Sequence, residues 1–370
     1  MTNRLFVEFH ILQTLPPSNI NRDDTGSPKT AVFGGVRRHR VSSQAWKKAT
    51  RDSFAELLGQ EDLGIRTKFA VDLIAERISA LAPEKSADAV TMASDALKAA
   101  GVSSKTDKNG KLTTGALFFI SPAQVDGLAR LAVETTAVDP KAAKAILDVK
   151  KGGSVNAIDI ALFGRMVADA PDLNVDAACQ VAHAISVHRA DTEFDYFTAV
   201  DDCAPDDNAG AGMIGTVEFT SSTLYRYATI DVPHLKENLG DSLEATARAV
   251  RAFTDAYVTS MPSGKQNTFA NRTLPIGVVV QLRETQPVSL VNAFEQPIEL
   301  CDDRSRTQMA CEALAQQEKM IDNAFGVVPL ETFVVLGAPG ADALASLGET
   351  MSLTTLEDRL EAAVRAWSRS

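Results

Sequence analysis

Between about residue 60 and residue 190 the chain reads like a helical protein, and on either side of that block strand patterns dominate. This interruption constrains the fold more than any single motif does. Strands on both flanks need partners, so the block has to leave one core and return to it. The N-terminal flank opens with "RLFVEFHIL" (4–12), which alternates around Leu5, Val7 and Phe9 before an apolar end, as a buried strand does. Pro16, Pro17, Asn21, Gly26 and Pro28 then make a long irregular segment. From Ser42 to about Gly59 the period turns helical, with Trp46, Ala49, Ser53 and Leu57 on one side and Ser42 or Ser43 available as N-cap.

Inside the block, the Ala-rich pattern predicts helices at 67–82, 87–99, 122–133, 140–150, 155–168 and 173–188. A hairpin at "TDKNGKLTTGALFFIS" interrupts them, with Asn109-Gly110 as the turn signal. The stretch "DTEFDYFTAVDDCAPDDNAGAGMIG" (191–215) is acidic and Gly-containing and should project as a loop. Strands are expected at 216–232, 276–283 and 331–337, and helices at 242–259, about 304–321 and 353–368. At 370 residues the chain exceeds a typical domain of roughly 100–200. One α/β or α+β domain carrying insertions nevertheless fits this order better than a string of independent domains. The divisions are 1–59, 60–190, 191–215 and 216–370.

Composition removes several classes. No run of 18 apolar residues exists, so a transmembrane helix and a membrane partner are not expected. The start "MTNRLFVEFHILQTL" resembles a strand more than a signal peptide. Cys179, Cys203, Cys301 and Cys311 show no CxxC and no His at ligand spacing, which suits reduced thiols in a cytoplasm and no metal or other cofactor.

Charge is where the chain becomes specific. Its net charge is −11, yet the window Arg22 to Arg51 holds eight Lys or Arg against two Asp, which is +6 and leaves −17 on the rest. On a helix starting near Ser42, the residues Gln44, Lys47, Lys48 and Arg51 share a face about 100° wide, opposite Trp46. Ahead of them lie Gly34-Gly35, where a missing Cβ lets another backbone come close, and then Arg37, Arg38 and Arg40. Alternation in a strand would put Arg38 and Arg40 on one face. Ser42, Ser43 and the free N–H groups of the helix start add neutral donors suited to an anion. Such a site suits phosphate, although no GxxxxGK[ST] is present. The blander reading is a solvated basic helix. Phe194, Tyr196 and Phe197 offer rings that could stack on or wedge bases, or could simply pack the loop onto the body. Catalytic groupings are thin. Asp23-Asp24 and Asp201-Asp202 are paired carboxylates of the kind usual in turns, and His183 and His188 are poorly spaced for a shared ligand face.

The segment "NINRDDTGSPKTAVFGGVRRHRVSSQAWKKATR" resembles the N-terminal signature of the CasC family, the Cas7-type backbone subunit of the type I-E CRISPR surveillance complex, Cascade. The blocks "VNAIDIALFGRM", "VAHAISVHRADTEFDYFTAVDD", "GTVEFTSSTLYRYATIDV", "MPSGKQNTFA" and "SLVNAFEQP" are similar to family blocks in the family's order, to about residue 297. The resemblance implies an α+β fold shaped like a right hand. A ferredoxin-like, RRM-type palm would span 1–59 and 216–370, helical fingers 60–190 and a thumb loop or hairpin 191–215. It implies a non-enzymatic protein that polymerises along a guide RNA (crRNA) with other Cascade subunits, grips the RNA backbone and presents guide segments for pairing with target DNA. Carried over by position, Arg22 and Lys29 would meet the guide backbone, and Ser42, Gln44, Lys47, Lys48 and Arg51 would grip phosphates and sugars. Arg38 and Arg40 join them as RNA-binding candidates. Met166 would stack on guide bases, and Tyr196 with Phe197 would prop a kink. Tyr196 stands where the family pattern has Trp, and Lys48 where it has Arg, which keeps the charge and loses the planar fork. Two other readings stay open. One is a metal-dependent RNase-type backbone subunit like those of type III complexes, with Asp23 as its acid. The other is an RNA-binding protein that does not assemble.

Overall fold

The computed structural model describes residues 4–148, 156–167, 170–199 and 213–367. Its strands are β1 (Phe6–Ser18), β2 (Thr30–Phe33), β3 (Val36–Val41), β4 (Ile65–Thr67), β5 (Ser104–Thr106), β6 (Leu112–Thr114), β7 (Phe118–Ile120), β8 (Cys179–Val181), β9 (Ala184–Ser186), β10 (Glu193–Ala199), β11 (Met213–Asp231), β12 (Gly277–Arg283), β13 (Glu331–Leu336) and β14 (Glu349–Thr350). Its helices are α1 (Ser43–Leu57), α2 (Ala70–Leu81), α3 (Ala89–Ala99), α4 (Pro122–Glu134), α5 (Pro140–Leu147), α6 (Ile158–Phe163), α7 (Val232–Asn238), α8 (Leu243–Thr259), α9 (Gln266–Phe269), α10 (Arg306–Phe325) and α11 (Leu353–Trp367).

Both flanks of the chain meet in one sheet of order β14-β13-β12-β1-β11-β9-β3-β2, with β8 and β10 also on β11. Every pairing is antiparallel except β13 with β14. β1 runs between β11, from Phe6↔Asp231 onward, and β12, from Phe6↔Arg283 to Leu12↔Gly277. Its alternation serves two layers. Val7, Phe9 and Ile11 join the core formed with α1, α7, α8 and α11, while Leu12 joins a second core on the α10 side. The Phe9 ring meets Phe253 of α8 edge-on at 5.3 Å. A third core belongs to the insertion, where α2, α3, α4 and α5 bury Ile74, Ile78, Leu97, Leu128 and Leu147. The whole is a mixed α+β fold.

Most expected elements appear within a few residues of their predicted ends. β1 runs on through Pro16 and Pro17 to Ser18, where an irregular segment is expected, and the helix expected at 155–168 is described only over Ile158–Phe163, stopped by Gly164 at φ 80°. The stretch 173–188 is not a helix. It holds β8 and β9, which pair with β11 (Val181↔Ala228, Ser186↔Leu224), and β9 also pairs with β3. Ala178, Cys179, Ala184, Ile185 and Val187 are all buried, and strands of three residues are too short to show a period of two. The expected loop at 191–215 begins and ends as a hairpin instead, β10 on β11 from Glu193↔Phe219 to Ala199↔Met213. Residues 200–212, with Asp201 and Asp202, lie outside the described residues, as do 149 and 150 at the end of the helix expected at 140–150. Among the described residues no helix is long and apolar enough to cross a membrane.

Candidate nucleic-acid interface

Ser42 caps α1, its hydroxyl oxygen accepting from the Ala45 N–H at 3.3 Å. Its own N–H donates to Asn21 Oδ1 at 2.9 Å, which ties the loop after β1 to the helix start. That loop folds back on itself. Asn19 Nδ2 donates to the carbonyls of Gly26 and Glu218, Lys29 N–H donates to Asn21, and Arg40 N–H donates to Lys29. Arg22 is left exposed and Lys29 half-buried beside the start of α1. Asp23 is spent within the loop: its Oδ1 accepts from Thr25 N–H, Thr25 Oγ1 and Ser27 N–H, and the Thr25 hydroxyl first among these holds its carboxyl below the usual range.

The buried face of α1 is Trp46, Ala49, Thr50 and Phe54, with Ser53 half-buried and Leu57 41% exposed. Relative to the sequence reading, the helix is rolled toward its cations. Gln44 and Lys48 stay exposed, Lys48 paired to Asp52 at 2.6 Å. Lys47 is half-buried with its ammonium 5.7 Å from the Phe163 ring centre. Arg51 turns inward. Its Nε donates to Asp159 at 2.7 Å, Nη2 donates to the Gly64 carbonyl at 3.0 Å, and the guanidinium lies 4.6 Å over Phe119. Arg51 therefore clips α1 to the insertion, and its Nε and Nη2 donate within the protein without any phosphate.

Arg38 is the clearest correction. It is fully buried, and its guanidinium donates to the carbonyls of Phe33, Ser186, Phe294 and Glu295 at 2.8–3.1 Å, so it cannot present charge to a strand of nucleic acid. The neighbouring Gly34 shows the expected close approach, since a Cβ there would lie 1.6 Å from the Glu295 carbonyl oxygen. Arg40 stays half-buried, donating to the Thr30 carbonyl and meeting His183 Nδ1 at 3.1 Å. His183 is exposed, and partial burial followed by the charges of Arg40 and Lys29 lowers its pKa. It therefore stays neutral and able to accept or donate at physiological pH. The sequence carried no signal for its place beside these cations, because only the pairing of β9 with β3 brings it there. Arg22, Lys29, Arg37, Arg40 and Lys47 make no ion pair among the described residues, in contrast to Lys48 and Arg51.

Met166 and the aromatic residues stand on other elements. Met166 is 81% exposed on a turn held rigidly from behind. Arg165 beneath it exchanges backbone hydrogen bonds with Val175 and donates from its side chain to the carbonyls of Leu173, Phe119 and Leu147. On the hairpin, Tyr196 and Phe197 point to opposite faces. Tyr196 is 63% exposed, while Phe197 lies over Gly215, where a Cβ would meet its ring at 2.4 Å. The exposed pair two residues apart on one face is Phe194 with Tyr196.

Comparison with known proteins follows the same length of chain. One chain of a solved structure titled "CRISPR RNA-guided surveillance complex, pre-nicking" is 33% identical, with TM-score 0.80, over 97% of this chain and all of that one. A chain of another, titled "CRISPR RNA-guided surveillance complex", is 30% identical with TM-score 0.63, over 97% and 99% of the two chains. A search of curated proteins found no match. The sequence model described as CT1975-like protein matches residues 7–360, and the protein belongs to that family.

Proposed function

We propose that this protein is a guide-RNA-binding backbone subunit of a CRISPR RNA-guided surveillance complex. The observation that carries the proposal is the convergence of unpaired cations (Arg22, Lys29, Arg40 and Lys47) around the capped start of α1 in a chain of net charge −11. Charge placed this way neutralises consecutive phosphates while the acidic remainder repels nucleic acid elsewhere. Likeness to chains of two solved surveillance complexes supports the same reading. The finer assignment is a type I-E complex, carried by the sequence blocks. In it the subunit polymerises along the guide, works with other subunits in the cytoplasm, and leaves guide segments free to pair with target DNA.

The order β1, α1, β8, β11, α8, β12, with sheet order β12-β1-β11-β8, supports a ferredoxin-like palm. The helical insertion would be the fingers and the β10–β11 hairpin the thumb, with Met166 stacking on bases and Phe194 and Tyr196 forming the wedge. The protein binds and does not cut: Asp23 Oδ1, the candidate acid, is already occupied by three donors of its own loop.

The test is co-expression with a guide RNA, followed by sizing with absorbance at 260 and 280 nm and a gel of the extracted nucleic acid. A large particle carrying RNA of one discrete length is expected. A particle carrying RNA one subunit long would instead favour a binder that does not assemble, and a nucleic-acid-free monomer overturns the proposal.

A further inference from the structure

A groove of about 370 Å³ runs between α1 and the segment from Ser260 to Arg272. It lies on a different side of α1 from Gln44 and Lys47, and Lys48 borders it. Its far wall is fixed from behind. Gly264 sits so close to the loop after β1 that a Cβ would lie 2.4 Å from the Ile20 carbonyl oxygen. The backbone then passes through the left-handed region at Lys265 (φ 53°) and again at Ala270 (φ 45°). Non-glycine residues in that region are strained, and such strain concentrates at ligand sites.

Two side chains in this groove lack partners. Asn271 and Ser260 are each 2% exposed, both line the groove, and Asn271 Nδ2 and Ser260 Oγ make no hydrogen bond. Buried donors are normally satisfied, so a pair of unsatisfied ones beside a groove asks for an acceptor. The α1 wall brings Asp52, paired to Lys48, and Glu56, and the far wall ends at the exposed Arg272, so two carboxylates and two cations line the groove. These charges cancel, so a bare phosphate gains no net attraction there. A neutral hydroxyl suits both walls, because it accepts from the amide and donates to a carboxylate. The ribose 2′-hydroxyl is such a group, and DNA lacks it.

We infer that this groove is a ribose-reading subsite, in which Asn271 and Ser260 select a guide strand that carries 2′-hydroxyls. The inference rests on the guide-binding proposal above and adds a chemical selectivity to it.

The test binds the full-length protein, at fixed salt, to a guide RNA, to the same strand as DNA, and to the RNA with 2′-deoxy substitutions. The wild type is expected to prefer RNA by about tenfold, the equivalent of one hydrogen bond. Asn271→Leu and Ser260→Ala should each cut that preference by about threefold through weaker RNA binding alone, leaving DNA binding unchanged. Equal wild-type affinity for RNA and DNA overturns the inference while leaving guide binding intact. Equal losses for both strands in the variants also overturn it, since the two residues would then only support the loop. Wild-type protein that binds neither strand overturns the guide-binding proposal itself. Because the wild type on modified strands is informative alone, a variant that fails to fold leaves the question decidable.

Discussion

Lys48 and Arg51 lie three residues apart on α1 and do different work. Lys48 forms an exposed i,i+4 pair with Asp52, and such pairs contribute about 0–1 kcal/mol. Arg51 faces Asp159, a carboxylate 1% exposed whose other partners are the N–H groups of Gly64 and Ile160. Burial pushes the Asp159 carboxyl up, and the hydrogen bond from Arg51 opposes it. Arg51→Ala leaves that carboxylate buried without a cation, and is expected to cost about 2–4 kcal/mol, near the range for breaking a buried pair. Lys48→Ala should cost less than about 1 kcal/mol. Urea unfolding of the two variants checks this, and equal shifts would refute it. Adding Asp159→Asn to Arg51→Ala should recover part of the loss, because the amide oxygen still accepts from Gly64 N–H. A drop in guide binding by Arg51→Ala would then be read through stability first.

At the scale of elements, α10 is held to the sheet by a buried ionic network. Its start carries a capping box, Ser305 with Gln308, and it ends at Gly326 in the left-handed region (φ 65°). These signals are local, so the helix was legible in the sequence; what it docks on was not. Arg283 of β12, fully buried, meets Glu8 of β1 at 2.6 Å, Glu318 of α10 at 2.6 Å and Asp322 at 3.3 Å. One guanidinium faces three carboxylates, and burial, against the bonds from Gln281 and Arg283, pushes the Glu318 carboxyl up to about 7. A folded pKa above the unfolded value of 4.5 means that the folded chain holds the proton more tightly between the two. This group therefore stabilises less as pH rises from about 4.5 to about 7 and stays at its lowest contribution above that. Glu318→Gln removes the titration and keeps the acceptor oxygen. The variant should match the wild type near pH 5 and exceed it by about 1–2 kcal/mol at pH 8. Urea melts at the two pH values measure it, and a variant weakened equally at both would contradict the argument.

Over the whole molecule, separate cores imply separable stability. The insertion buries its own cluster around Ile74, Leu97 and Leu128, and the sheet's helical face buries another around Phe9, Phe253 and Leu360. Arg51 with Asp159 and Gly64 is one of the links between the α1 layer and the segment that leads into the insertion. Ile74→Ala removes fully buried methyl groups, at a cost of about 2–5 kcal/mol. Amide hydrogen exchange should then show lost protection across α2, α3, α4 and α5 while β1 and β11 keep theirs. Protection lost uniformly would mean that the two cores unfold as one unit.

Most of the elements, the cap at Ser42, the interrupting helical block and the cluster of positive charge were determined by the sequence itself. Each depends on neighbours within a turn or two, where period, capping and turn chemistry act. Which cations stay available was decided only by the tertiary structure. Arg38 finds the Phe294 carbonyl 256 positions away, and Arg51 finds Asp159 108 positions away. The short strands β8 and β9 take their conformation from the long edge of β11, and the turn to the exposed face that puts Phe194 rather than Phe197 beside Tyr196 follows from the register of β10 on β11. Local pattern can count charges and rings; burial and pairing with distant backbone settle which of them face solvent.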